Sequence, residues 1–102
     1  MHPTMIYKFK SAATGDVIML GPHGDQLLRL LGREPALKGI IETGQMTAAI
    51  QTLQAAIASA ESASAEADEE RKDPVLLRQR LWPMIDMLRR AEQAGEPVVW
   101  GV

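Results

Sequence analysis

Side chains with chemical potential gather in two places along this 102-residue chain. The first is Gly21-Pro22-His23-Gly24, which stands just ahead of a leucine-rich segment with helical spacing. The start of a helix offers unpaired backbone N–H groups and a positive dipole end to an anion. Gly21, His23 and Gly24 are therefore candidate anion-binding residues, with Lys8 or Lys10 as cationic support. The tetrapeptide lacks the spacing of a phosphate loop or of a dinucleotide turn. A simpler reading makes the glycines turn formers, the proline a stiffener and His23 a partly exposed loop residue. The second place is Arg78, Trp82, Asp86, Arg89 and Arg90, which helical spacing brings near one another, a quarter-turn from an apolar stripe. Tryptophan and arginine are the types most enriched at binding hot spots, which makes Arg78, Trp82 and Arg89 candidate partner contacts. The spacing lets Arg78 cover the Trp82 ring and Asp86 pair with Arg90. The competing reading packs Trp82 under a linker or against the rim of a sheet, since large aromatics are usually buried.

The remaining residues exclude more chemistry than they suggest. With no cysteine, thiolate nucleophiles, disulfides and Cys-based metal sites are ruled out. His2 and His23 are the only histidines, too few for a metal centre, and nothing implies a cofactor. Ser11, Ser59, Ser62 and Ser64 lie in no Gly-x-Ser-x-Gly elbow, while Asp16 and Asp25 have turn and helix-start explanations. The chain therefore reads as a non-enzyme. Eleven basic residues against 13 acidic ones leave a net charge of -2, which gives no field to draw in nucleic acid. Uninterrupted apolar runs reach four residues, as in Val17 to Leu20, far short of the roughly 20 that a membrane span needs. No targeting pattern is visible at the N-terminus, and a cytoplasmic location is expected.

These residues must be positioned by one domain with a slim aliphatic core. Tyr7 and Phe9 alternate with Ile6, Lys8 and Lys10, the period of a half-buried strand over Met5 to Lys10. Asp16 to Leu20 reads as its antiparallel partner, with Gly15 taking a positive φ to close the hairpin. A short helix follows over Asp25 to Leu31, ended by Gly32. Ile40-Ile41 is a possible extended segment whose place in the sheet stays open. Met46, Ala49, Ile50, Leu53, Ala56, Ile57 and Ala60 mark an amphipathic helix with Thr43 as its cap. Residues 61–73 read as an acidic flexible linker, and Asp73-Pro74 as a cap with proline at the first helical position. The last helix runs to Ala94 with Leu77, Leu81, Met84, Ile85, Leu88 and Ala91 inward, kinked but continuous through Pro83 and stopped by Gly95. Pro97 to Val102 forms a third strand with Val98, Trp100 and Val102 on one side. The order β-β-α-α-α-β gives an α+β fold: an antiparallel sheet of about three strands with helices packed on one face. The opposite face carries Ile6, Lys8 and Lys10, with either Ile18 and Leu20 or Val17 and Met19 from the second strand, according to register.

Several of these segments together resemble a known family. They are Tyr7-Lys8-Phe9-Lys10-Ser11, Thr14-Gly15-Asp16-Val17-Ile18-Met19-Leu20, Leu30-Leu31-Gly32, Pro35 with Gly39-Ile40, the Arg78 to Arg90 helix with Pro83, and Pro97 to Val102. The family is the small bacterial proteins grouped as domain of unknown function 1840. The resemblance spans the chain from Met5 and implies that residues 1–4 are an extension, expected to be disordered. It implies no activity. The expected function is a non-enzymatic interaction or accessory module, forming a homodimer through the sheet face or edge or binding a protein partner. Its contacts are Lys8 and Lys10 or the face bearing Arg78, Trp82 and Arg89. The alternative is a small-molecule or anion-binding protein using Gly21, His23 and Gly24.

Overall fold

Alternating burial along the first strand sets the two faces of the sheet. In the computed structural model, which describes residues 6–66 and 74–101, β1 (Ile6–Lys10) buries Tyr7 and Phe9 and exposes Ile6 and Lys8. β2 (Val17–Leu20) pairs with it antiparallel, Ile6 opposite Leu20 and Lys8 opposite Ile18. Opposite residues share a face, so Ile18 and Leu20 point outward and Met19 inward. The reversal is made by Ser11 to Thr14, where the Thr14 N–H donates to the Ser11 carbonyl at 3.3 Å. Gly15 does not take the expected positive φ, which among the described residues occurs only at Gly32, Gly95 and Gly101. The chain has already turned before it reaches Gly15.

α1 (Gly21–Leu30) begins four residues earlier than the spacing of its leucines predicts. Gly21 to Gly24 form its first turn rather than a loop, and Pro22 is tolerated there because its missing N–H has no helical acceptor to satisfy. α1 ends as expected at Gly32, with φ 80°. The Arg33 N–H reaches the Leu28 carbonyl at 2.8 Å and the Gly32 N–H the Arg29 carbonyl at 2.9 Å. This is the double hydrogen bond of a Schellman stop. The segment Ile40-Ile41 does join the sheet: β3 (Gly39–Ile41) makes the strand count four rather than three.

α2 (Thr43–Glu66) buries Met46, Ala49, Ile50, Leu53 and Ile57, as its stripe requires. The capping position falls on Glu42 rather than Thr43, because the Gln45 side chain accepts the Glu42 N–H at 2.8 Å. The helix continues through Glu66, into the stretch expected to be linker, where alanine and glutamate favour it. Residues 67–73 with the Asp73 cap, residues 1–4, Met5 and Val102 lie outside the described residues. α3 (Pro74–Ala94) is one helix across Pro83, and its whole expected stripe is buried, with Met87 in addition. Gly95, φ 72°, stops it with the same pair of bonds: Glu96 N–H to Ala91 carbonyl at 2.9 Å and Gly95 N–H to Glu92 carbonyl at 3.1 Å.

β4 (Val98–Trp100) enters between β1 and β3, giving the antiparallel order β2-β1-β4-β3. The fold is thus α+β, with the core between helices and one face of the sheet. No polar or charged residue is buried among those described. Trp100 sits at the middle of this core. Its ring lies 5.5 Å from that of Phe9, and its Nε1–H donates to the Ala36 carbonyl at 3.1 Å. Gly39 makes room for it: a Cβ there would stand 2.3 Å from Trp100 Cζ2. Trp100→Ala should lower stability by about 3–5 kcal/mol in equilibrium denaturation. A loss under about 1 kcal/mol would contradict this placement of the indole.

Candidate functional site

The first turn of α1 is shaped by an aromatic ring. Tyr7 lies directly under Gly24, where a Cβ would come within 2.0 Å of Tyr7 Cδ2. Gly24 is therefore small because the phenol ring occupies its side-chain space. One residue on, Asp25 Oδ1 accepts a hydrogen bond from the Tyr7 hydroxyl at 2.5 Å. Burial, followed by that hydrogen bond and the Asp25 charge, pushes the Tyr7 pKa up to about 12 against an opposing pull from Arg29. Lys8 and Lys10, the expected cationic support, belong to the alternate residues of β1, whereas Tyr7 and α1 are on the core side. The structure does not bring these lysines to Gly21, His23 and Gly24. His23 borders instead a hollow of about 540 Å³ beside β2, with Gln79, Arg80 and Pro83 on its far wall.

On α3, Trp82 is 49% exposed, which speaks against packing on the rim of the sheet, while residues 67–73 of the linker lie outside the described residues. The apolar stripe turns inward through Leu81, Met84 and Ile85, which leaves position 82 outside it. Arg89, not Arg78, covers the indole, its guanidinium carbon 5.6 Å from the ring centre. Arg78 is drawn away to Glu61 of α2. Asp86 and Arg90 pair at 3.0 Å as expected for their spacing, and both are well exposed. Such a pair contributes at most about 1 kcal/mol. Between α2 and α3 an open groove of about 660 Å³ is lined by Gln54, Ile57, Arg78, Trp82, Pro83 and Ile85. Arg78, Trp82 and Arg89 thus share one helical surface, with an apolar floor beside them.

The third surface is the outer face of the sheet. The register decides between the two alternatives left by the sequence, placing Ile18 and Leu20 with Ile6 and Lys8. Ile6 is 60% exposed, Ile18 62%, Leu20 53% and Ile40 38%. Ile40 was missed because three residues with one outward side chain carry no periodic signal. Lys10, Val99 and Ile40 form one row across β1, β4 and β3. Folded chains rarely leave aliphatic side chains this large together in solvent without a use for them. Among the described residues no group of three His, Asp or Glu is arranged to hold a metal, and no helix is long and apolar enough to cross a membrane.

Fold and surfaces together define a two-layer α+β domain with helices on one side of the sheet and an uncovered aliphatic face on the other. The chain belongs to the family described as Domain of unknown function (DUF1840), which it matches over residues 5–100. No curated protein and no solved structure matches it.

Tyr7 is the chain's single tyrosine, which makes its ionisation directly observable. Spectrophotometric titration of the folded protein should show a midpoint at about 12, against about 10 in denaturant. The raised value means that the fold holds the neutral phenol. This contribution to stability is complete below pH of about 10 and is lost as pH rises through about 12. Tyr7→Phe should remove that decline and cost about 1–3 kcal/mol at neutral pH. A folded-state midpoint near the ordinary tyrosine value would contradict the burial of Tyr7 beside Asp25.

Proposed function

We propose that this protein is a non-catalytic interaction module that binds a protein partner through the outer face of its sheet. The observation that carries the reading is the exposure of Ile6, Ile18 and Leu20 on one face. These side chains contribute little to the chain's own core, and water around them is released when a partner covers them. Lys8 stands opposite Ile18 and Lys10 in the row with Ile40, so the face combines aliphatic contact with cationic groups that set orientation. The Trp82 groove, with Arg78 and Arg89 at its margin, supplies a second surface on the helix layer. Tryptophan and arginine side chains beside an apolar floor suit a partner's contact, although the groove is open rather than a closed ligand pocket. A cytoplasmic setting is part of this reading. The anion-binding alternative has less support, since Tyr7 fills the space at Gly24 and the lysines lie on the other face of the sheet.

A native mass measurement on the protein purified from its own host tests the reading. The mass should exceed that of one 11.2 kDa chain. A variant combining Ile6→Glu and Ile18→Glu should return to the single-chain mass while losing less than about 1.5 kcal/mol of stability, because exposed positions tolerate replacement. A wild-type mass of one chain at every concentration would sink the idea. So would a double variant that unfolds, since the face would then be structural.

A further inference from the structure

The reading above leaves the partner open, and the sheet's edges narrow it. We propose that the partner is a second copy of this chain, joined edge to edge along β2 so that two four-stranded sheets become one of eight. This inference rests on the outer face being an interaction surface.

The sheet has two edges, β2 and β3. An edge strand presents unpaired N–H and C=O groups, and monomeric proteins guard it with lysine, proline, a bulge or extreme shortness. β3 is guarded: it has three residues, between Lys38 and Glu42. β2 is longer: between Asp16 and the start of α1, Val17-Ile18-Met19-Leu20 itself contains neither charge nor proline, and it pairs with β1 in unbroken register, without a bulge. The hollow of about 540 Å³ along it separates the strand from Gln79, Arg80 and Pro83 of α3, so open space lies between β2 and that helix.

Residue alternation selects the occupant. An antiparallel self-pair centred on Met19 puts Ile18 opposite the second copy's Leu20, and Leu20 opposite the second copy's Ile18, all on the outer face. The two Met19 side chains then meet on the core side. Extended through the observed pairing with β1, each outer row reads Lys8, Ile18, then Leu20 and Ile6 of the second copy. Ile6, Ile18 and Leu20 of both copies close into one aliphatic block, and each Lys8 stands at its end. A slip of one residue would set Ile18 against Met19, whose side chains point to opposite faces.

The contact is small. One four-residue strand pair and its outer block bury less than the roughly 800 Å² per partner of a standard stable interface, so the dimer should be in concentration-dependent exchange.

Sedimentation over micromolar to several hundred micromolar chain, with wild type, Ile18→Glu and Ile40→Glu, tests the proposal. In Ile18→Glu the new carboxylate faces Lys8 across the hairpin, which supports the monomer fold. It also puts charge into the seam. Its dissociation constant should rise at least about tenfold, while Ile40→Glu, on the far edge, stays within about twofold of wild type. The register has its own readout because the chain has no cysteine. Ile18→Cys and Leu20→Cys proteins, mixed and oxidised, should give a covalent dimer that neither gives alone to the same extent. A monomer throughout the range overturns the proposal. So does an effect of Ile40→Glu equal to that of Ile18→Glu, or equal cross-linking with and without mixing. A chain that never self-associates yet is purified from its host bound to a different polypeptide overturns self-pairing alone and leaves the interaction-module reading in place.

Discussion

The sheet depends on one insertion: β4, from the end of the described chain, fills the slot between β1 and β3. Without it the β1–β2 hairpin and the three-residue β3 have no common neighbour, and a lone two-stranded hairpin is marginal in water. Trp100 fixes the insertion. Its ring meets Phe9 from β1 and lies over Gly39 from β3, while its N–H is bonded to the Ala36 carbonyl, so one side chain joins both neighbouring strands and the approach to β3. The contact between Phe9 and Trp100 closes almost the whole chain into a loop. Closing so long a loop costs chain entropy that the contacts made by Trp100 must offset.

Two glycines complete the arrangement by absence of side chains. Gly39 admits the indole and Gly24 admits the phenol of Tyr7. Tyr7 then holds α1 against the sheet, ring under the helix and hydroxyl on Asp25. α2 and α3 close over the remaining length, with Arg78–Glu61 and Thr47–Glu92 contacts between them and the Arg80–Gln26 bond at 2.9 Å tying α3 to α1. All three helices lie on the side of Tyr7, Phe9, Met19 and Trp100. A single-sided helix layer leaves Ile6, Ile18, Leu20 and Ile40 exposed on the opposite face.

Much of this was legible in the residues, and what was not has identifiable physics. The alternation of Tyr7 and Phe9 with Ile6 and Lys8, the stripes of α2 and α3, and the glycine stops at Gly32 and Gly95 are local signals, and each appears where its period or its φ demands. β3 is too short for periodicity, and its partner lies far along the chain. Gly24 looked like a turn residue because the reason for it, the Tyr7 ring, is fixed only by tertiary contact. Around Trp82 helical spacing grouped the right residues but assigned the wrong cation. Arg78 has a competing carboxylate on another helix, Glu61, which leaves Arg89 to cover the indole. The outward aliphatic residues of β2 were one of two register choices, settled only by the pairing of Ile6 with Leu20.

Native-state amide hydrogen exchange tests the central claim most directly, because it ranks segments by the free energy of opening. With β4 locked between two strands, the amides of Val98, Val99 and Trp100 that are bonded in the sheet should exchange only through global unfolding, as slowly as those of Phe9. Protection in β4 no greater than at Gly101 would contradict the account, for the sheet would then stand without its central strand.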